Sequence, residues 1–325
     1  MNLGKFQIAD GGSGTLINRD FDFLSITPMK ISAVIVGRND NYGGTLNERA
    51  EYCLNTFLEA FDEVIFVDWN SQNGVPLTKI LDITVHPERL KTIIVTPEQV
   101  KKLMGDSCDS GVEFCQVLPR NVGIRRATGD FIVLAALDII GPKRVFLEEA
   151  VRGMESMQML VTKRNHIEIE LVREVFKQSK SYEFTRDYMF EHYGVVSINT
   201  ARMFPTLTVN YETMMRVPKE HHYNAASVIG GCGDFQIAHR DTWDKIKGFE
   251  EDQIKKFYMD TEIQYKVIMA GGKVTATNFP PIYHIDHPRY FDDNLSLHNK
   301  KEFYETRNSE NWGFPNENFE IRTGI

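Results

Sequence analysis

The chain has 325 residues and a formal charge of −8, from 37 Lys+Arg against 45 Asp+Glu, with 42% hydrophobic and 25% charged residues. Such a composition belongs to a globular protein of one large domain or two modest ones, and it excludes intrinsic disorder, collagen-like repeats and a disulfide-built scaffold. No apolar run approaches the ~20 residues of a membrane span, and the negative balance argues against nucleic acid as a partner.

Residues 1–30 are Gly- and Asp-rich and weakly periodic, which suggests an irregular arm, and MNLGKFQIADGG lacks the charged-then-apolar layout of a secretory signal. ISAVIV (Ile31 to Val36) reads as a buried strand ended by Gly37. Thr45 and Glu48 have capping-box spacing. Behind them Leu46, Ala50, Cys53, Leu54, Phe57, Leu58 and Phe61 form the apolar stripe of a helix packed on a sheet. Val64 to Val67 is a second strand, and the strand–helix–strand order implies a right-handed parallel crossover and an α/β fold. Thr92 to Val95 is a third apolar segment. NVGIRRATG (Asn121 to Gly129) reads as a short helix with a glycine stop, and FIVLAAL (Phe131 to Leu137) as a strand buried on both faces that runs into Asp138. A further helix is expected after Pro142, while residues 160–225 show no resolvable pattern. Thr242 to Lys247 and Thr261 to Ala270 suit helices, the second ended by Gly271 and Gly272, and KVTATN and PPIYHI suit strands. Cys53, Cys108, Cys115 and Cys232 form no CxxC pair and no zinc-finger grouping, so free thiols in a reducing cytosol are expected, and with them a soluble, cytoplasmic protein.

In open parallel sheets ligands bind beyond the carboxyl ends of the strands. Strand one ends in Gly37-Arg38-Asn39-Asp40, strand two in Asp68-Trp69-Asn70-Ser71, and the strand from Phe131 in Asp138. Three strands thus deliver carboxylates or amides to one edge, which points to a site there.

These same segments resemble a family. EVIFVDWNSQNG resembles the strand and turn of family 2-type glycosyltransferases with the GT-A fold, where VIVVDDGSxDG is usual. PRNVGIRRATGDFIVLAALD is similar to that family's ARNxGixxAxGdyilfLDaD, and GCGDFQIAHRDTWDKIKGFEED followed by MDTE to its GgxxlfrrexlexiGGFDE and EDxDL segments. The resemblance runs in order from about residue 31 to 287. It implies a Rossmann-like GT-A domain with a mostly parallel central sheet over 31–290, divided into a nucleotide-binding half (31–140) and an acceptor and catalytic half (141–290), with a tail over 291–325. The implied activity is inverting transfer of a hexose or N-acetylhexosamine from a UDP-sugar to the hydroxyl of a glycan or other acceptor, assisted by Mn²⁺ or Mg²⁺.

The family's roles carry over residue by residue. Asp68 pairs with the uracil base, and Gly37, Arg38 and Asn39 line the same pocket. Arg120 and Asn121 match the Arg-Asn pair set against the nucleotide. Asp138 matches the last Asp of the metal-binding DxD, whose first position is Ala136 here, so water or another side chain must complete the metal's ligands. Breaking the sugar–diphosphate bond needs fixed positive charge where negative charge develops. His284 and His287 follow the last apolar strand as candidate further ligands, and as structural histidines otherwise; Arg289 is the alternative partner for the diphosphate. The adjacent pair His221-His222 is not expected to bind metal, since neighbouring side chains point apart. Asp260 matches the family's catalytic carboxylate, the base that takes the acceptor proton, although the preceding Glu is Met259 and an Asp that starts a helix also serves as a cap. Glu262 matches the next acidic position. Asp234 beside Gly233 holds sugar or acceptor hydroxyls or simply forms the turn.

Two other readings stand. Gly11-Gly12-Ser13-Gly14-Thr15, with Lys30 beyond, resembles the phosphate loop of sugar-1-phosphate nucleotidyltransferases, although Leu16 replaces the expected Arg. The altered positions Ala136 and Met259 also fit a non-catalytic nucleotide-sugar-binding module.

Overall fold

The computed structural model describes residues 29–71, 74–105, 116–193, 207–216, 233–252, 259–288 and 307–324. The Gly11–Thr15 loop, Cys108, Cys115, Cys232, His221, His222 and Arg289 lie outside the described residues. Strand β1 (Ile31–Gly37) is buried along its whole length, and helix α1 (Leu46–Ala60) carries the chain to β2 (Glu63–Trp69). The two strands pair in parallel, from Ser32 opposite Glu63 to Gly37 opposite Asp68. Beyond β2 lies β3 (Leu90–Val95), also parallel; helices α2 (Pro97–Met104) and α3 (Val117–Arg126) then lead to β4 (Phe131–Ala135), parallel on the other side of β1.

The second half of the chain extends this sheet. It adds α4 (Arg144–Arg152), β6 (Gln158–Thr162), α5 (Ile169–Ser179), α6 (Tyr182–Tyr193), β8 (Leu207–Asn210), α7 (Tyr211–Met215), β9 (Phe235–His239), α8 (Arg240–Ile246), α9 (Met259–Met269), β10 (Lys273–Thr277) and β12 (Glu320–Thr323). Among the described residues the sheet has nine strands in the order β12-β3-β2-β1-β4-β9-β6-β10-β8. β1, β2, β3, β4, β6 and β10 run one way and β8, β9 and β12 the other, so the fold is α/β with a mostly parallel central sheet. A second small sheet sets β5 (Ile139–Ile140) against β11 (Tyr283–Ile285) and β11 against β7 (Asn165–Ile167).

Alternation along the strands builds a core on each face of the large sheet. Val34, Val36, Ile65, Val67, Ile132 and Leu134 pack with α3, α8 and α9, while Ile31, Ala33, Ile35, Val64, Phe66 and Val133 pack with Phe57, Leu58 and Phe61 from α1 and its end. Each fully buried Val, Leu, Ile or Phe among them contributes about 1.5–3 kcal/mol. No helix among the described residues is long and apolar enough to cross a membrane.

Several local expectations are corrected. Thr45 and Glu48 do not form a capping box: Thr45 Oγ1 accepts from Arg49 Nε at 3.2 Å, and Glu48 is held by Arg173 at 2.6 and 2.8 Å. A charge-assisted pair outcompetes the weaker bond to a backbone amide. The capping box forms instead at Thr96 and Gln99, before α2. The helix expected over Asn121–Gly129 starts earlier, at Val117, and ends before Ala127. Gly129 is not its stop; its N–H donates to Ser32 Oγ at 2.8 Å. The unresolved stretch contains α5 and α6, and β12 joins the sheet beside β3 in a segment where no strand is expected.

Candidate active site

A cavity of about 250 Å³ opens at the carboxyl ends of the parallel strands, lined by Gly37, Arg38, Asp40, Tyr42, Arg49, Gln116, Arg120, Ala136, Leu137 and Asp138 among others. Asp138, one of its lining residues, is tied to the small sheet. Asp138 lies just before β5, and its carbonyl accepts from Ile285 N at 2.8 Å while Ile139 stands opposite His284. This register brings His284 Nε2 to 3.4 Å from Asp138 Oδ2, and His287 Nε2 reaches the same oxygen at 2.8 Å. Arg49 Nη1 lies 3.3 Å from it.

Burial alone would push the Asp138 carboxyl up, but the hydrogen bonds and charges of His284 and His287 outweigh burial and hold it well below the ordinary carboxylate range. Its other oxygen, Oδ1, is buried without a hydrogen-bond partner among the described residues. An unmet buried acceptor costs about 1–3 kcal/mol, and a cation would meet it. One carboxylate and two imidazoles whose ligand atoms lie within 4.8 Å of one another therefore fit a divalent ion. Ala136, at the first position of the triplet, lines the cavity and packs on the core below.

Arg49 is a site residue that motif reading misses. Its guanidinium is buried and bonds Thr45 Oγ1, Asp138 and the Tyr42 carbonyl. The available signal is a charged residue within the apolar stripe of Leu46, Ala50 and Cys53, where burial demands a partner. Beside it Gly43 has φ +70°, and a Cβ there would lie 2.8 Å from His287 Nδ1 and 2.9 Å from Arg49 Nη2. The Tyr42 ring meets the His287 ring edge-on at 5.2 Å.

Arg120 lines the same cavity. Its Nη1 lies 2.8 Å from Asp260 Oδ1 and its Nη2 donates to Gln116 Oε1 at 2.9 Å, with Phe249 against the guanidinium at 5.3 Å. Asp260 stands in the first turn of α9, and its carboxylate occupies the space where a side chain on Gly233 would begin. Asp234, next in the chain, is held by Arg164, while its carbonyl accepts from Ala136 N at 3.0 Å.

Asn121, Glu262 and Asn39 spend their side chains outside the cavity. Asn121 does not reach the cavity: it is fully buried, donates to the Phe249 carbonyl (2.8 Å) and Glu251 (3.0 Å), and accepts from Phe249 N (2.8 Å). Adjacent helical positions point about 100° apart, so Arg120 and Asn121 divide between cavity and core. Glu262 is buried against Arg307 at 3.2 Å rather than lining the cavity, and Lys266 and Glu250 form a buried ion pair near it. Asn39 spends its side chain on the Val75 carbonyl at 3.2 Å. Asp68, at the end of β2, is buried; its Oδ2 accepts from Leu77 N at 2.6 Å and its Oδ1 has no hydrogen-bond partner among the described residues. Burial pushes its carboxyl up. Lys30, which the nucleotidyltransferase reading requires near phosphate, donates to Thr128 Oγ1 at 2.5 Å at the amino edge of the sheet. That edge is about 20 Å from the cavity at ~3.3 Å per strand residue.

Comparison of the sequence finds no matching family model and no matching curated protein. Solved structures similar in fold include S. aureus TarS in complex with UDP-GlcNAc, at 14% identity and TM-score 0.47, covering 83% of this chain and 62% of that one. GalNAc-T7 with UDP, GalNAc and Mn²⁺ matches at 11% identity and TM-score 0.48, covering 85% and 47%. The mannosyltransferase PcManGT from Pyrobaculum calidifontis in complex with GDP-Man and Mn²⁺ matches at 14% identity and TM-score 0.42, covering 80% and 57%. These are GT-A glycosyltransferases, and the likeness is one of fold. The chain spans 62% or less of the length of each.

Proposed function

We propose that this protein is a glycosyltransferase that binds a UDP-sugar in the cavity and transfers a hexose or N-acetylhexosamine, with inversion, to the hydroxyl of a glycan or other acceptor. The observation that carries it is the convergence, around one cavity at the carboxyl edge of the sheet, of the Asp138–His284–His287 group and the Arg120–Asp260 pair. Two nitrogen donors beside one carboxylate suit Mn²⁺ better than Mg²⁺, which prefers oxygen ligands. When bound there, the ion supplies positive charge to the departing diphosphate.

The chain's own residues divide the rest of the work. Arg38, Arg49 and Arg120 line the cavity and place further positive charge around a diphosphate. Asp68 offers its unmet Oδ1 to a donor group such as the N–H of a uracil. Asp260 is the general base: its carboxylate, oriented by Arg120 and given room by Gly233, takes the proton of the acceptor hydroxyl as the new bond forms. Asp234, anchored by Arg164 beside Ala136, is placed for sugar hydroxyls.

The test is UDP release from UDP-galactose, UDP-glucose and their N-acetyl forms, for the wild type and Asp260→Asn. The variant is expected to lose a factor of about 10²–10⁴ in rate, the usual worth of a general base, while UDP affinity measured by calorimetry stays within a few-fold. Turnover at the wild-type rate in the variant would remove Asp260 from the mechanism.

A further inference from the structure

A metal-binding imidazole donates one nitrogen lone pair, so its other nitrogen keeps a proton that needs an acceptor. For His287 the main chain provides it: Nδ1 is 2.9 Å from the Pro288 carbonyl, with Nε2 toward Asp138. For His284 the corresponding acceptor is a side chain outside the candidate ligand set, with Nδ1 lying 3.2 Å from Asp286 Oδ1. We infer that Asp286 is a positioning residue of the metal centre: its carboxylate takes the Nδ1–H of His284 and so fixes the tautomer that presents Nε2 beside Asp138. This rests on reading Asp138, His284 and His287 as the metal ligands.

The small sheet supplies the geometry. His284 and Asp286 are two residues apart at the end of β11, so an extended backbone sends both side chains to one face. Across β7 the register partner of His284 is His166, and Asp286 N donates to the Ile167 carbonyl at 2.8 Å, which pins the Asp286 backbone.

His166 holds the same carboxylate oxygen, Nδ1 to Asp286 Oδ1 at 2.6 Å. The direction of that bond can be deduced. Arg164 Nε lies 3.3 Å from His166 Nε2, and an arginine N–H only donates. His166 Nε2 is therefore the accepting nitrogen, and Nδ1–H donates to Asp286. Arg164 in turn is paired with Asp234, so a continuous chain of polar contacts runs from Asp234 through Arg164, His166 and Asp286 to His284.

His166, His284 and Asp286 also place three potential ligand atoms within 4.8 Å of one another. A His166 nitrogen that carries its proton to Asp286 has no lone pair for an ion, which favours positioning over a second metal site.

The experiment titrates Mn²⁺ alone into the full chain and reads free ion by electron paramagnetic resonance, for the wild type, Asp286→Ala and Asp286→Asn, with Asp138→Ala as the ligand-loss control. Wild type is expected to bind one ion per chain, and Asp286→Ala to bind it about 10–100-fold more weakly, the usual loss when such an acceptor is removed. Asp286→Asn keeps an oxygen acceptor and is expected to retain most of the affinity. The thermal midpoint of metal-free Asp286→Asn should stay close to wild type, because the position is exposed and an acceptor for His284 Nδ1–H is kept, so this variant separates loss of metal affinity from loss of folding. Wild-type affinity in Asp286→Ala would overturn the inference while leaving the metal centre standing. Two ions per wild-type chain, with one lost in Asp286→Ala, would make Asp286 a ligand and overturn it also. No Mn²⁺ binding by wild type would overturn both it and the metal centre on which it rests.

Discussion

Gly233 and Asp260 share one small volume. A Cβ on Gly233 would overlap the Asp260 carboxylate, which the flanking Arg120 holds at 2.8 Å. Gly233→Ala therefore forces Asp260 aside without touching its chemistry, and a displacement of about 1 Å costs on the order of 10²-fold in rate. The expected outcome is a fall of that size in sugar transfer, with UDP affinity within a few-fold of wild type by calorimetry. An alanine variant that turns over normally would mean that catalysis does not depend on where Asp260 sits. At this scale legibility follows backbone periodicity. Asp138 and His287 are recognisable because they follow apolar strands, where ligand groups gather, and His284 because it sits at the end of the apolar segment before His287. Arg120 and Asn121 are inseparable as a motif, and only the helix reveals that one faces the cavity and the other the 248–251 turn. His166 gives no signal by itself, because its meaning lies in the β7–β11 register.

Among the elements, the amino edge of the large sheet is fastened by Glu63. Its Oε2 accepts from Ser32 Oγ (2.5 Å), Thr128 N (2.8 Å) and Thr128 Oγ1 (3.0 Å), and its Oε1 from Lys91 Nζ (2.5 Å), so one carboxylate ties β1, β2, β3 and the turn before β4. Burial would raise its pKa, but the bonds from Lys91, Ser32 and Thr128 outweigh burial and lower it from 4.5. A carboxylate whose pKa is lower folded than unfolded stabilises fully above the unfolded value, and that stabilisation is lost as pH falls through the folded value. Glu63→Gln is expected to lose about 1–3 kcal/mol at neutral pH, measured as a denaturant midpoint. The gap to wild type should narrow as pH drops below 4.5, where wild type loses its charge too. A gap unchanged by acid would show that the charge of Glu63 is not what fastens the edge. The strands it joins are plain in the sequence because the apolar runs of β1 and β2 end in Gly37 and Asp68 and that of β3 is closed by Pro97. The short β5 and β7 are not, since two or three residues are too few for alternation to register; β11 lies within the expected strand PPIYHI, but its pairing with them joins segments more than 100 residues apart.

Over the whole molecule the two edges of the sheet are unlike. The amino edge closes its polar groups on one another, whereas at the carboxyl edge Asp68 Oδ1 and Asp138 Oδ1 are buried without hydrogen-bond donors among the described residues. An edge left incomplete in this way is where an outside donor or cation gains most. The C-terminal segment braces the elements that carry Arg120: Arg126 donates to the Gly313 and Phe314 carbonyls at 2.8 and 2.7 Å, Trp312 is buried, and Asn308 bonds the carbonyls of Lys247 and Phe249 at 2.8 and 2.5 Å. These contacts hold α3 and the 247–252 turn together, and with them Arg120. Both the bracing segment and β12 escape prediction because the alternating run from Phe319 to Thr323 is short and its partner, β3, lies far before it in the chain.

Calorimetric titration of UDP, with Mn²⁺ and then with chelator, for wild type and Asp138→Ala, tests the central claim most directly. Wild type is expected to bind UDP at least about tenfold more tightly with Mn²⁺, a difference of about 1.4 kcal/mol, and Asp138→Ala to lose that difference while keeping the weaker, metal-free binding. Absence of UDP binding by wild type in both conditions would contradict the assignment of this cavity to a nucleotide-sugar donor.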